Sequence, residues 1–280
     1  MTTQVSPYQI EGPAIISFSG GRTSGYMLYH ILEAYNGKLP GDIVVTFANT
    51  GKEREETLDF VLDCQNHWGI PIRWLEYRPS PDIRKFDRYI EVDYESASRD
   101  GQPYDLILQN KTYVPNPTMR FCTIQLKIRP MRDFCKTTLG WKNWTNIVGL
   151  RADEAHRVVR MHKNAQSQAW NALAPMHEAG VTVDDVMRFW QEQPFDLRLE
   201  PHEGNCDLCF LKSSRSINRI LRKKPELADW WIQKEKEMDQ PFRLDRPKYV
   251  HLLEGVLSQQ EFDFGIFDDE QTCGSNACTD

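Results

Sequence analysis

The sequence predicts an α/β protein: an open parallel sheet with helices on both faces, and a smaller, mostly helical C-terminal part carrying a CxxC motif. Three observations predict it. Short apolar runs near 14–18, 42–48, 70–75 and 145–150 alternate with segments of helical spacing, the pattern of parallel strands joined by right-handed crossovers. The first run feeds Ser19-Gly20-Gly21, which opens directly into a helical pattern. Beyond about residue 165 the strand pattern stops, and helical segments surround Cys206-Asp207-Leu208-Cys209. The expected division is 1–165 for the α/β domain and 166–280 for the helical part, packed on the first as one unit.

Composition sets bounds. With 280 residues, 40% hydrophobic and 26% charged, the chain can bury a full core as a globular protein. No run of about 18 apolar residues exists, so no transmembrane helix is expected. Met1-Thr2-Thr3-Gln4-Val5 has neither a basic nor an apolar leader character, and cytoplasm is the expected compartment. Seven cysteines in such a chain point to metal or thiol chemistry rather than a disulfide framework. A formal net charge of −6 means that any nucleic-acid contact must rest on a local basic patch.

In chain order, Ala14-Ile15-Ile16-Ser17-Phe18 is the first strand. Two glycines after it let several backbone N–H groups face one anion, and the helix N-terminus adds its positive end. Ser19, Gly20, Gly21, Arg22, Thr23 and Ser24 therefore form a phosphate cradle, although neither a Walker A loop nor a GxGxxG fingerprint is present. Tyr26, Met27, Ile31, Leu32 and Tyr35 carry the helix to a stop at Gly37. The second strand, 42–48, ends in Asn49-Thr50-Gly51, at the sheet edge where ligands of open α/β folds collect. A helix follows from about Glu55 to Trp68, then a third strand at 70–75. Residues 79–119, broken by five prolines, give no periodicity and are expected as an irregular excursion, whether surface loop or lid. Pro130 suits the first turn of a helix running to Leu139, with Gly140 as its end. Thr145 to Leu150 is the fourth strand, leaving through Arg151-Ala152-Asp153-Glu154-Ala155-His156-Arg157. Further on, Pro175 to Gly180 is a linker-like turn, and Thr182 with Asp185 forms a capping box for a helix closed by Pro194. Helices are expected at about 213–224 and from Pro225 to about Met238. Arg215, Arg219, Arg222 and Lys223 share one face of the former; a solvated face is the usual meaning of such a run, nucleic-acid contact the alternative.

Several of these segments resemble the PP-loop ATP pyrophosphatase superfamily, which includes the phosphoadenylyl-sulfate reductases. Ser19-Gly20-Gly21-Arg22-Thr23-Ser24 is similar to its SGGxxS loop, and Asn49-Thr50-Gly51 with Glu56-Thr57 to its (D)TG…ET segment, Asn49 replacing the usual aspartate. Arg120-Phe121-Cys122-Thr123 with Lys127 and Pro130 resembles the R-x-C-(C/T)-x-x-x-K-x-x-P segment, in the single-cysteine form of the DNA phosphorothioation enzymes. Gly149-Leu150-Arg151 with Glu154 and Arg157 resembles G-x-R-x-x-E/Q-S-x-R, Ala155 standing where serine is usual. The resemblance implies an adenine-nucleotide-binding domain with Asn49, Thr50, Gly51 and Arg157 near the nucleotide. It also implies Lys127 and Arg151 at its phosphates, and ATP with magnesium, or an adenylyl sulfate, as the bound molecule.

The resemblance further implies a 4Fe–4S cluster on Cys122, Cys206 and Cys209, because cluster-bearing relatives show this cysteine order. The fourth position is open between Cys278, Cys273, Cys135 and an open iron; Cys278 is the assigned ligand, His202 a weaker option, and structural zinc the rival metal. Cys64 is expected in the core. Three functions follow. The first is adenylylation of a target for sulfur transfer, with a nucleic-acid acceptor and a sulfur-donor protein as partners. The second is sulfonucleotide reduction with Cys273 as the attacking thiol, its Cys-Gly pair lacking the family's flanking glutamate and histidine. The third is a non-enzymatic accessory subunit that binds nucleotide and cluster.

Overall fold

The computed structural model describes residues 6–82, 85–166, 168 and 170–258. Its centre is a six-stranded sheet in the order β4-β3-β2-β1-β5-β6. The strands are β1 (Ala14–Ser17), β2 (Ile43–Asn49), β3 (Ile72–Tyr77), β4 (Tyr89–Val92), β5 (Trp144–Val148) and β6 (Trp170–Leu173). All neighbours pair in parallel except β4, which runs antiparallel to β3. The α/β architecture and its four expected strands are as the periodicity requires. β4 and β6 are additions at the two edges; unlike the equally short but buried β1, they are largely exposed and carry no continuous apolar run. The sheet thus extends past residue 165.

Side chains on β1 alternate between the two faces, as the strand period demands. Ala14, Ile16 and Phe18 join one core with Met27, Leu28 and Ile31 of α1 (Arg22–Ala34), Phe60, Val61 and Cys64 of α2 (Glu55–Trp68), and Trp190. Ile15 faces the other way, onto Cys135 and Trp144. The 79–119 excursion contains β4 and α3 (Gln102–Leu108), a helix whose Pro103 sits in its first turn. The Pro130 helix is α4 (Arg129–Thr137), but it is entered through a π-helix, Thr123–Ile128, rather than a loop. α5 (Ala155–Ala165) follows β5. The linker-like turn is a single helical turn, α6 (Pro175–Glu178), kept in place because Met176 is fully buried. α7 (Val183–Glu192) has the expected capping box between Thr182 and Asp185.

The last three helices, α8 (Ser214–Lys223), α9 (Ala228–Glu237) and α10 (Tyr249–Ser258), close around Trp231, Phe242 and Tyr249 in a core of their own. Ser213 caps α8, accepting from the Ser216 amide at 3.1 Å. Glu235 is buried yet satisfied: its two oxygens accept from the Phe242 and Tyr249 amides at 3.1 and 2.8 Å. Burial pushes this carboxyl above its usual range. Tyr249 donates to the Leu208 carbonyl at 2.5 Å, tying the CxxC turn to the bundle.

Lys224, at the end of α8, reaches Glu56 in the first turn of α2 at 2.7 Å. Burial raises the Glu56 carboxyl, but hydrogen bonds from Lys224 and Arg54 outweigh it and hold the group at about 2. A depressed carboxylate stabilises the fold above its unfolded value of about 4.3 and loses that contribution as pH falls through the folded value. Glu56→Gln is therefore expected to flatten the acid limb of stability between about pH 4.3 and about 2, read by urea melts at stepped pH.

Candidate nucleotide and thiol site

β1 lies between β2 and β5, so the direction of the strand order reverses at the β1–β5 boundary, and the crevice beyond their carboxyl ends is where such sheets bind ligands. The Ser19–Ser24 loop occupies it. Gly20 has φ of 75°, and a Cβ there would stand 2.7 Å from the Thr57 methyl, so a side chain is excluded on both counts. The Ser24 hydroxyl sits inside the turn, accepting from the Ser19 and Gly21 amides at 3.2 and 3.3 Å, and lies 3.0 Å from the Ser19 hydroxyl. The loop's shape is thereby fixed from within, and the first-turn amides of α1 leave from it.

Arg151, at the exit of β5, joins this loop: its guanidinium donates to the Thr23 hydroxyl at 3.1 Å. It is 2% exposed and is also held by Asp153 at 2.9 Å and Glu154 at 3.4 Å. The same arginine lowers the Asp153 carboxyl. Arg157 pairs with the other Glu154 oxygen at 2.5 Å, so Glu154 organises both arginines.

Lys127, on the π-helix, comes to 3.8 Å from Glu53 Oε1. The side chain of Glu53 is almost wholly buried. Its Oε2 accepts from the Thr50 amide and hydroxyl, both at 2.7 Å, while Oε1 has no hydrogen bond among the described residues.

Two expected ligand-binding residues have other work. Arg22 makes a bidentate pair with Asp196, at 2.7 and 2.6 Å, and donates to the Leu199 carbonyl at 3.1 Å. Its side chain anchors the segment after α7, as a carboxylate in fork geometry outcompetes solvent for a guanidinium. Asn49 donates to Glu76 at 2.6 Å and to the Ser98 carbonyl at 2.8 Å, and accepts from the Gly51 amide at 3.1 Å. Both its amide hydrogens are committed, so it shapes the turn that presents Thr50 and Gly51. Thr50 in turn is tied to Glu53. The aspartate usual at position 49 could not make the two donations, which accounts for asparagine here.

The CxxC segment returns to this edge through an isolated bridge. Cys206 pairs with Glu53 in an antiparallel bridge, flanked by hydrogen bonds from Arg54 N to Asn205 O at 2.7 Å and from Asp207 N to Lys52 O at 2.8 Å. Two buried ion pairs fasten it, Lys52–Asp207 at 2.8 Å and Arg54–Glu203 at 3.2 Å. Removing either partner of such a pair leaves a buried charge uncompensated. Asn205 extends over the phosphate loop and donates to the Ser19 carbonyl at 2.8 Å; a Cβ on Gly21 would stand 3.3 Å from its amide.

Cys122, just before the π-helix, and Cys206 both pack on the C-terminal core. Cys122, Cys206 and Cys209 all lie within electrostatic reach of the Tyr104 hydroxyl, and burial followed by these thiols pushes that phenol well above its ordinary value. The three expected sulfur ligands thus share one neighbour. Among the described residues, however, no three His, Cys, Asp or Glu side chains are already arranged to hold a metal ion. Cys135 is not in this group: it is buried against Ile15 and Trp144, and burial raises its thiol to about 12. Cys64 lies in the main core, its thiol raised well above the usual range. Cys273 and Cys278 lie outside the described residues. His202 stands among Glu203, Arg219, Glu200 and Lys223, where burial lowers its pKa. On α8, Arg215, Arg222 and Lys223 are exposed and Arg219 half-buried, with Lys223 3.5 Å from Glu200.

Glu53, Asn205 and Tyr104 carry no sequence signal as site residues. Lys52-Glu53-Arg54 resembles a solvated charge run, and only its burial reveals otherwise. A cavity of about 420 Å³, lined by Thr145, His162, Gln166 and Asn171 among others, lies beside β6 and the end of α5, apart from the phosphate loop. No described helix is long and apolar enough to cross a membrane.

Among known proteins, no family model matches the chain. It is 30% identical over 206 residues to the uncharacterized nin region protein ORF290 of Escherichia phage lambda, an alignment covering 72% of this chain and 67% of that protein. It is 26% identical over 229 residues to the uncharacterized protein MJ0066 of Methanocaldococcus jannaschii, covering 80% of this chain and 41% of that longer relative. Among solved structures it is similar to the U34-tRNA thiolase NcsA from Methanococcus maripaludis with its 4Fe–4S cluster, at 15% identity and a TM-score of 0.44, covering 91% of this chain and 76% of that one. It is similar also to a phosphoadenylyl-sulfate reductase from Candida auris in a phosphate complex, at 15% identity and a TM-score of 0.40, with 68% and 80% covered.

Proposed function

We propose that this chain, which belongs to the family of the phage lambda nin region protein ORF290, is a PP-loop adenine-nucleotide enzyme that activates a target by adenylylation for sulfur transfer. The observation that carries the reading is the bridge that returns the CxxC segment to the carboxyl edge of the sheet. Through it the thiols, Lys127 and the Ser19–Ser24 loop come to border one region.

In this reading the loop amides and hydroxyls hold the nucleotide phosphates at the positive end of α1. Arg151 lies against the loop through Thr23, and Lys127, on the π-helix, lies 3.8 Å from Glu53. As an oxygen of the target attacks the α-phosphorus, the bond to pyrophosphate breaks, and these two cations stabilise the charge that develops on the phosphoryl oxygens and leaving group. Magnesium would screen the triphosphate. Hydrosulfide supplied by a sulfur-donor protein then attacks the activated carbon, forming the C–S bond as the C–O bond breaks and AMP leaves, with no change of oxidation state. Three soft thiol donors beside an unsatisfied buried hydroxyl fit an iron–sulfur cluster better than a hard cation. Cys122, Cys206 and Cys209 would hold it, leaving one iron for another ligand, and it would supply a site for binding sulfur. The exposed basic residues of α8 offer a surface to a nucleic-acid acceptor.

The test is anaerobic full-length protein given ATP and RNA or DNA, then adenylyl sulfates, with pyrophosphate and sulfite assayed. Pyrophosphate release from ATP supports the reading. Sulfite from an adenylyl sulfate would replace it with sulfonucleotide reduction, and neither product with nucleotide bound would leave a binding subunit.

A further inference from the structure

Tyr104 is a buried phenol with all three candidate ligand thiols as electrostatic neighbours. It sits on α3, 3% exposed, edge-on to Trp230 with ring centroids 5.0 Å apart. With Phe121 and Leu126 it forms an apolar cluster on which Cys122 packs, so its ring is held from several sides. Its hydroxyl makes no hydrogen bond of ordinary geometry among the described residues; Cys122, close enough to act as a hydrogen-bond partner, and Cys206 and Cys209 are its electrostatic neighbours.

Phenylalanine would fill this space without leaving a buried polar group unsatisfied, so packing does not explain the oxygen. A phenol O–H is a donor in want of an acceptor, and thiolate or sulfide sulfur accepts such bonds. Two of the three thiols arrive on a segment fastened by a backbone bridge and two ion pairs, which fixes their approach to the phenol.

We propose that the Tyr104 hydroxyl donates a hydrogen bond to a sulfur of the iron–sulfur site formed by Cys122, Cys206 and Cys209, and so acts as a positioning residue that tunes that site. The inference rests on the cluster reading under Proposed function. A hydrogen bond to sulfur draws charge from it and favours the reduced, more negative cluster. Removing the bond lowers the reduction potential.

Tyr104→Phe removes the oxygen and keeps the ring. In anaerobically reconstituted full-length protein the variant should hold as much iron as the wild type, while its reduction potential moves to more negative values. A deuteron coupling to the reduced cluster, seen by pulsed paramagnetic resonance after transfer to D2O, should weaken in the variant. Equal iron with unchanged potential and unchanged coupling would overturn the role of Tyr104 and leave the cluster standing. Wild-type protein that binds zinc and no iron would instead overturn the cluster reading itself. Should Tyr104→Phe fold poorly, the wild-type coupling still decides: no exchangeable deuteron at the reduced cluster ends the proposal.

Discussion

Lys127→Met should lower pyrophosphate release by about 10²–10³-fold, corresponding to roughly 2.7–4 kcal/mol of transition-state stabilisation, the scale for losing one preorganised electrostatic group. Methionine keeps most of the stem volume, so the π-helix has no new cavity to absorb. The ammonium lies 3.8 Å from a carboxylate oxygen of Glu53 that has no hydrogen bond among the described residues. A cation at this place, close to the carboxyl ends of β1 and β2, is suited to an incoming phosphate oxygen. The loss should appear in kcat more than in nucleotide affinity, because uniform binding comes from the loop amides, which the variant retains. Steady-state kinetics with calorimetric nucleotide titration measures both. A fall in affinity alone, with kcat unchanged, would remove Lys127 from the chemistry.

The second large effect is expected at the CxxC turn. Cys206→Ala or Cys209→Ala should abolish stoichiometric iron and lower the unfolding temperature of the C-terminal part, since a bound metal contributes its binding free energy to the fold that presents the ligands. The apoprotein should still be folded. Cys206 meets Glu53 through its backbone, Lys52–Asp207 and Arg54–Glu203 remain, and Trp231 still donates to Asp207 at 2.9 Å. Cys64→Ala is the control: full iron, with a stability cost of about 1 kcal/mol for the small buried volume removed. Iron analysis and calorimetry on anaerobic samples check all three. Full iron retention in Cys122→Ala would take that residue out of the ligand set.

The sequence by itself determined the sheet's central strands, the Ser19–Ser24 turn into the first helix and the helices whose ends carry capping residues. Those features are local: a strand's apolar run, a glycine that must turn left-handed, and a Ser213 or Thr182 cap all act within a few residues. Lys127 and Arg151 were singled out through motif resemblance; the structure sets Lys127 3.8 Å from Glu53 and Arg151 3.1 Å from the Thr23 hydroxyl. The edge strands β4 and β6 were not legible because, unlike the equally short but buried β1, they are largely exposed and lack a continuous apolar run, so pairing with a neighbour rather than their own pattern makes them strands. The π-helix was hidden as well, since its register is set by packing beneath Leu126 and by Pro130 beyond it, not by residue type.

Only the tertiary structure decided which charges belong to the site. Arg22 and Asn49 sit in motif positions, but Asp196 for one, and Glu76 with the Ser98 carbonyl for the other, had to be brought across from distant segments before their roles could be known. The reverse holds for Glu53, Asn205 and Tyr104. Each borders the candidate site because the chain after α7 folds back, lays Cys206 beside Glu53 and sets Asn205 over the Ser19 carbonyl. A hydrogen bond or ion pair between residues far apart in sequence depends on the free energy of the whole fold that joins them. No spacing within the chain encodes it.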